Sequence, residues 1–588
     1  MADLADEARG WDIEPAYHDI FGNWCEVPEA TLRVLIDALS AGRDAPSQSI
    51  GAHAPVVRRA FQGPEGGVWG IAVQLYAVRS GRNWGIGDFE DLYAVVNTAA
   101  VSGASALGVN PLHALFLDRA SAASPYSPSS RRYLNPLYIA VDAAPGFAGA
   151  SSETQSALEA LRQQDLVDYE AVASIKLASL RDAYRRFSAN TADPLQQEFA
   201  AFREAGGDDL RRFACFEVLR ERFHGRPWQD WPSPWRSAGE AAIADVYATD
   251  SDGCGFFEYL QWVADRQLGR CQRQAKALGM SIGLYLDIAV GVDPCGADAW
   301  AHQSHVMSGL SVGAPPDAYN PAGQNWGLAP FHPQAVSDHD FAALRTLLTA
   351  AMRHAGAVRL DHVLGLMRLF LIPRGASPQQ GAYVRYPFEQ SLAVIAEESR
   401  RLRCVFIGED LGTVPEGFRP LAARWGIWSY SVMMFERHGD GSFKYPGEYP
   451  KNALATFNTH DLPTFKGWFD GDDLAVKRSL GVDPGEDELA RGRACAALID
   501  AVHPYAGHGF PDSFEAVASF LAVTPSRLVM VAIDDLLEAT DQINIPGTVD
   551  TYPNWRHKLP LPIEEWTEQQ TFRATVRAFD NASRSRRR

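Results

Sequence analysis

One pattern constrains this chain more than any other, and it recurs from Val68 onward. A short apolar run is followed by a loop rich in Gly, Pro, Asn and Asp, and then by a helical segment. The runs are Val68–Tyr76, Ala106–Leu112, Met280–Val290, Ala357–Leu360, Arg403–Ile407, Ala453–Phe457 and Arg527–Ile533. Strands that are apolar without alternation are buried on both faces, as in a parallel sheet covered by helices. Repeated βα units over a chain of 588 residues predict an α/β fold, a (β/α)8 TIM barrel rather than an open doubly wound sheet. No GxGxxG follows a strand and no GxxxxGK[ST] occurs, so a nucleotide-binding fold has no support.

Two regions depart from the pattern. Residues 1–50 read as a short helical segment and linker: Glu29–Leu39 has apolar residues at helical spacing with Pro28 at its first turn, and Ser40–Gly51 is small and polar. The catalytic barrel then spans 51–588. It is interrupted at about 143–255 by a helical, charged and aromatic insertion, too long for a loop. The insertion carries Trp228, Trp231 and Trp235, which read either as insertion core or as a sugar platform, core being the commoner fate of clustered aromatics. A Gly- and Pro-rich stretch at about 313–333 reads as a lid loop with Tyr319, Trp326 and Phe331 as flat faces.

Composition narrows the function. Net charge is −18, and the only basic cluster is the short end Arg584–Arg588, so nucleic acid is not an expected partner. No apolar run approaches membrane-spanning length. The seven Cys are scattered, with no CxxC pair, which argues against a disulfide framework or a zinc cluster and for reduced thiols in the cytoplasm. The first residues, MADLADEARGWDIEP, lack the basic and apolar regions of a signal peptide.

The chemistry lies where the strands end. Ala357–Leu360 runs into Asp361-His362, Cys404–Gly408 into Glu409-Asp410, and Leu454–Asn458 into Thr459-His460-Asp461. In a barrel, residues following different strands converge on one face. Several carboxylates at one mouth suit glycosidic chemistry, which needs a protonated acid, an ionised nucleophile and negative charge near an oxocarbenium-like centre. A single Asp after an apolar run is more often a helix cap; the recurrence of the pattern is what points to a site.

These motifs resemble the 4-α-glucanotransferases of glycoside hydrolase family 77, the amylomaltase or disproportionating group of the α-amylase clan. The resemblance runs from about Val68 to Trp566. It rests on Trp84–Phe89, Ser124–Ser127, Gly313-Ala-Pro-Pro-Asp317, Gly323-Gln-Asn-Trp-Gly327, Arg359-Leu-Asp-His362, Gly408–Gly412, Thr459–Asp461, Asn544–Thr548 and Asn554–Arg556. The N-terminal segment is similar to that of the bacterial maltodextrin-type enzymes. The resemblance implies Asp361 as nucleophile, Glu409 as general acid/base and Asp461 as the third acid, holding the sugar ring. It implies substrate contacts or positioning roles for Arg359, His460, Tyr126, Asp287, Asp317, Gln324 and Trp326, with Asp293 a competitor for the Asp287 role. It further implies no cofactor or metal, α-1,4-glucans, maltooligosaccharides and glucose as substrates, and a monomer or homodimer. A clan hydrolase and a non-catalytic glucan-binding relative are the alternatives. Leu462 stands where many relatives carry Asn after the third acid, a difference expected to bear on the acceptor rather than on catalysis.

Overall fold

The computed structural model describes residues 2–19, 22–44, 58–316, 322–506 and 510–586. Eight parallel strands form its centre: β1 Val68–Val73, β2 Ala106–Val109, β3 Gly283–Ile288, β4 Ala357–Leu360, β5 Val405–Gly408, β6 Ser429–Val432, β7 Ala453–Thr456 and β8 Leu528–Ala532. They follow one another in chain order, and β8 pairs back onto β1 with Leu528 opposite Val68. Between β5 and β6 the ring closes at Ile407 and Trp428: the Trp428 N–H donates to the Phe406 carbonyl at 3.0 Å and the Gly408 N–H to the Trp428 carbonyl at 2.8 Å. The result is a closed (β/α)8 barrel in which the strands with unbroken apolar runs are buried on both faces.

Seven of these strands coincide with the apolar runs named above; β6 does not. Its Ser-Tyr-Ser-Val sequence carries no continuous apolar run. It becomes a strand because β7 on one side and the edge of β5 on the other both demand a partner. Helices Phe89–Val101, Ser251–Ala277, Pro333–Met352, Phe388–Leu402, Phe418–Trp425 and Gln570–Arg586 are among those surrounding the barrel. The first shows how a family-like motif does structural work. Asp88 caps it, accepting from the Glu90 and Asp91 N–H groups, while Asp91 accepts from the Asp88 N–H. Gly87 is required because a Cβ there would fall 1.9 Å from the Leu75 carbonyl oxygen.

Between β2 and β3 lie helices Ser152–Gln163, Tyr169–Ala189, Leu195–Arg222 and Glu240–Thr249, ahead of the long helix Ser251–Ala277. Of the tryptophans of this region, Trp231 is core, and Trp228 and Trp235 are half-buried against it. Trp231 is fully buried among Phe216, Phe223 and Trp300, while the Trp228 indole N–H donates to the Pro294 carbonyl at 3.0 Å.

The stretch at 313–333 contains more order than its Gly and Pro content suggests. Strands Leu310–Ala314 and Gln324–Leu328 form a hairpin. With Arg368–Pro373 and Ala382–Arg385 it makes a four-stranded antiparallel sheet. The N-terminal helix Glu29–Ser40 packs on this sheet: its stripe Leu32, Leu35, Ile36 and Leu39 meets Val312, Phe370, Ile372 and Val384 in one buried cluster. An amphipathic helix needs such a partner. Backbone bonding reinforces it, the Glu14 N–H donating to the Tyr383 carbonyl at 2.8 Å. The linker residues 45–51 lie outside the described residues.

Candidate active site

The C-terminal ends of β3, β4, β5 and β7 carry the acidic groups to one mouth. Arg359, on β4, is the hub. Its Nη1 donates to both Asp287 carboxylate oxygens, at 2.8 and 2.7 Å, and its Nη2 donates to Asp361 Oδ1 at 2.7 Å. Arg359 and Asp361 are two residues apart on an extended chain, so both side chains leave the strand on the same side. Asp287, on β3, sits opposite Arg359 in the parallel register. Asp293 goes elsewhere: its carboxylate lies 3.6 Å from Arg119 and accepts from the Cys295 N–H.

Glu409 follows β5 directly. Its Oε2 accepts from the His362 N–H at 2.9 Å and its Oε1 from the Leu411 N–H at 2.6 Å. The first bond requires an unusual backbone, since His362 adopts φ 48° and ψ 57°, a left-handed conformation that non-glycine residues rarely take. That turn, immediately after Asp361, presents the peptide N–H to Glu409 and couples the two acids mechanically. Strain of this kind is characteristic of functional sites.

Electrostatics separate the acids. Burial pushes the Glu409 carboxyl up to about 7, with the Asp361 charge adding to it, while Arg359 and the two backbone donors oppose the rise. Burial likewise raises Asp287, against the pull of Arg359. At Asp461, burial is outweighed by His460 and by Asn544, and the carboxyl is held below the usual range. His460 is raised in return: burial disfavours its charged form, but the Asp461 charge prevails. Asn544 Nδ2 donates to Asp461 Oδ1 at 2.6 Å.

Aromatic rings wall the mouth on the β7 side. Tyr126 stacks on His460 with ring centres 4.7 Å apart, and Trp555 closes against both at 5.6 and 5.2 Å. The Tyr126 hydroxyl donates to Asp287 Oδ2 at 2.5 Å. Asp287, Arg359, Tyr126, Tyr430 and His460 line a cavity that continues downward into the barrel. On the opposite rim, the Trp326 indole meets the His362 ring edge-on at 5.1 Å, and its N–H donates to Gln324 Oε1 at 3.1 Å.

Asp361, Glu409, Asp461, Arg359, His460, Tyr126 and Asp287 thus gather at one mouth, and Trp326 with Gln324 reaches its edge through His362. Asp317 and Tyr319 lie outside the described residues. Asn544, Trp555, Tyr430 and the His362 backbone are part of the arrangement without having been singled out by sequence. Asn544 and Trp555 lie in loops with no periodicity to read, although both fall in segments that carried the family resemblance. Tyr430 sits on the strand that the sequence concealed.

Acids whose carboxyls are shifted in opposite directions, Glu409 up and Asp461 down, at the mouth of a closed (β/α)8 barrel define the class: an enzyme that works on glycosidic bonds. The matching family model is 4-alpha-glucanotransferase, glycoside hydrolase 77, over residues 73–563. A protein of Mycobacterium tuberculosis named 4-alpha-glucanotransferase is 39% identical over 522 residues, 84% of this chain and 71% of that protein. One of Haemophilus influenzae with the same name is 35% identical over 535 residues, 84% of this chain and 76% of that protein. The crystal structure of amylomaltase from Corynebacterium glutamicum superposes with a TM-score of 0.85 at 26% identity, covering 98% of this chain and 100% of that one. This chain belongs to the 4-alpha-glucanotransferase family and is an enzyme of that activity on α-1,4-glucans.

Proposed function

We propose that the enzyme disproportionates maltodextrins by a retaining double displacement, with Asp361 as nucleophile and Glu409 as acid and then base. One observation carries this reading. Glu409 is buried and its carboxyl is raised to about 7, while its neighbour Asp361 accepts a 2.7 Å hydrogen bond from the Arg359 guanidinium. In the first step Glu409 gives its proton to the glycosidic oxygen as Asp361 attacks the anomeric carbon, and the glucan fragment becomes an ester of Asp361. In the second, Glu409 takes the proton from the 4-hydroxyl of a maltooligosaccharide or glucose, whose oxygen displaces Asp361. Two inversions leave the α-configuration.

Asp461, held ionised by His460 and Asn544, accepts hydrogen bonds from the hydroxyls of the sugar at the cleavage point. Tyr126 offers that ring a flat face. Arg359 and Asp287 hold Asp361 in place. Trp326, on the hairpin beside His362, shields the ester from water and favours a sugar acceptor over hydrolysis. The seven free cysteines support a reducing compartment, the cytoplasm.

Maltotriose tests the reading. Transfer yields a ladder of longer and shorter maltodextrins together with glucose. Conversion to glucose and maltose alone would replace transfer by hydrolysis.

A further inference from the structure

The opposite end of the barrel carries a second cavity, of about 330 Å3. Barrel enzymes do their chemistry at the C-terminal face, and features at the N-terminal face ordinarily serve stability. This cavity is not filled as a stability feature would be. It lies where β3, β4 and β5 begin, at Ile282, Gly356 and Val405, and Phe61 forms part of its wall.

Its charge is the informative property. Lys276, Arg353 and Arg403 all line it, and no carboxylate does, in a chain whose net charge is −18. Lys276, Arg353 and Arg403 are exposed to solvent, and cations sharing one concavity attract an anion into it. Their existing bonds leave capacity. Lys276 Nζ donates to the Ser281 carbonyl at 2.7 Å, one of its three donors. Arg353 is tied through Nη2 to Asp265 at 2.8 Å, outside the cavity wall. Arg403 has its guanidinium carbon 4.8 Å from the centre of the Phe61 ring, a cation–π contact that holds it at the cavity wall.

The backbone at Arg403 supports the same conclusion. It ends helix Phe388–Leu402 in the left-handed conformation, at φ 53° and ψ 44°. Glycine is the residue that suits this position. An arginine here accepts backbone strain and places a cation at the cavity.

We propose that this cavity is a binding site for the phosphate group of a small metabolite of sugar-phosphate size. Guanidinium and ammonium groups together are the donors that recognise a phosphate dianion. The volume falls at the small end of ligand pockets, about 300–1,000 Å3, enough for a phosphate and one attached ring. The strands that start here are those that end at Asp287, Arg359 and Glu409.

The test is calorimetric titration of the full chain at low ionic strength, where charge pairing is least screened. The probes are glucose 1-phosphate, inorganic phosphate and, as uncharged control, glucose. The comparison is with the double variant Lys276→Gln, Arg403→Gly. Glycine suits the backbone at 403, so the variant is expected to keep its thermal midpoint, and its turnover of maltotriose should match wild type. The proposal expects both phosphates, or glucose 1-phosphate alone, to bind wild type, and to bind the variant at least about tenfold more weakly. Glucose 1-phosphate binding about fivefold or more tighter than inorganic phosphate would show that the sugar is also held; equal affinities would make the phosphate alone the ligand. Absence of binding to wild type at about 10 mM, or equal affinity in the variant, would overturn the proposal.

Discussion

Replacing Glu409 by Gln should separate activity from stability, and the size of the effect follows from the structure. In the folded chain the Glu409 carboxyl keeps its proton to about pH 7, whereas the free side chain releases it near 4.5. Between these values the folded state binds the extra proton, so the contribution of Glu409 to stability falls as pH rises across that window and is constant outside it. At about 1.36 kcal/mol per pH unit, the loss is about 3 kcal/mol on crossing from below 4.5 to above 7. The side chain is 8% exposed, so solvent screening removes little of this.

Gln does not titrate and lacks this pH-dependent penalty, but it brings a fixed one. Both carboxylate oxygens accept a backbone N–H, from His362 and Leu411. An amide has a single oxygen, so one of these donors is left facing an NH2 group, at a cost of about 1–3 kcal/mol. E409Q should therefore be less stable than wild type at about pH 4 and equal or more stable at about pH 8, with about 3 kcal/mol separating the two comparisons. Urea unfolding of both proteins at each pH measures it, provided the transitions are reversible. In parallel, E409Q should lose at least about a hundredfold in transfer rate, and wild-type kcat/KM should decline above about pH 7 as the acid is lost. An E409Q protein whose stability parallels wild type at both pH values would refute the argument that burial holds Glu409 protonated.

Other consequences are testable separately. Asp361→Asn should abolish turnover while maltohexaose still binds within about threefold of wild type by calorimetry, since the lost group forms the ester rather than the binding surface. Asn544→Ala removes the 2.6 Å bond to Asp461 and should lower kcat about tenfold, with a smaller change in KM. Tyr126→Phe deletes the hydroxyl that donates to Asp287 and should likewise reduce kcat about tenfold in steady-state assays on maltotriose. Leu35→Ala, at a fully buried position of the N-terminal helix, should cost about 2–5 kcal/mol. Limited proteolysis should then cleave first among residues 1–44.

The barrel was legible because a strand buried on both faces announces itself as an apolar run whatever its neighbours do. The apolar run Ala357–Leu360 and the strand it forms have the same bounds, and its position predicts where Asp361 must point. Ser429–Val432 was not legible, because pairing with β7 rather than composition makes it a strand. The strand Gln324–Leu328 escaped for a related reason: Gly327 reads as a loop residue, and only the antiparallel pairing with Leu310–Ala314 shows that it lies within a strand. At the site, the acids could be found because each follows a strand. Asn544 and Trp555 could not be assigned a role, since the chain after β8 folds over His460 and Asp461 through contacts with no regular spacing. The left-handed His362 is invisible in sequence altogether, because nothing distinguishes that histidine until its N–H is seen bonded to Glu409.

The most direct test of the central claim is to trap the covalent intermediate. In E409Q an α-maltosyl fluoride can form the ester, because fluoride leaves without an acid, yet the missing base slows its transfer. Digestion and mass spectrometry should then locate one maltosyl unit on the peptide containing Asp361. A sugar found on another carboxylate, or fluoride released steadily with no adduct on any peptide, would contradict the assignment of Asp361 as the atom donor to the glucosyl bond.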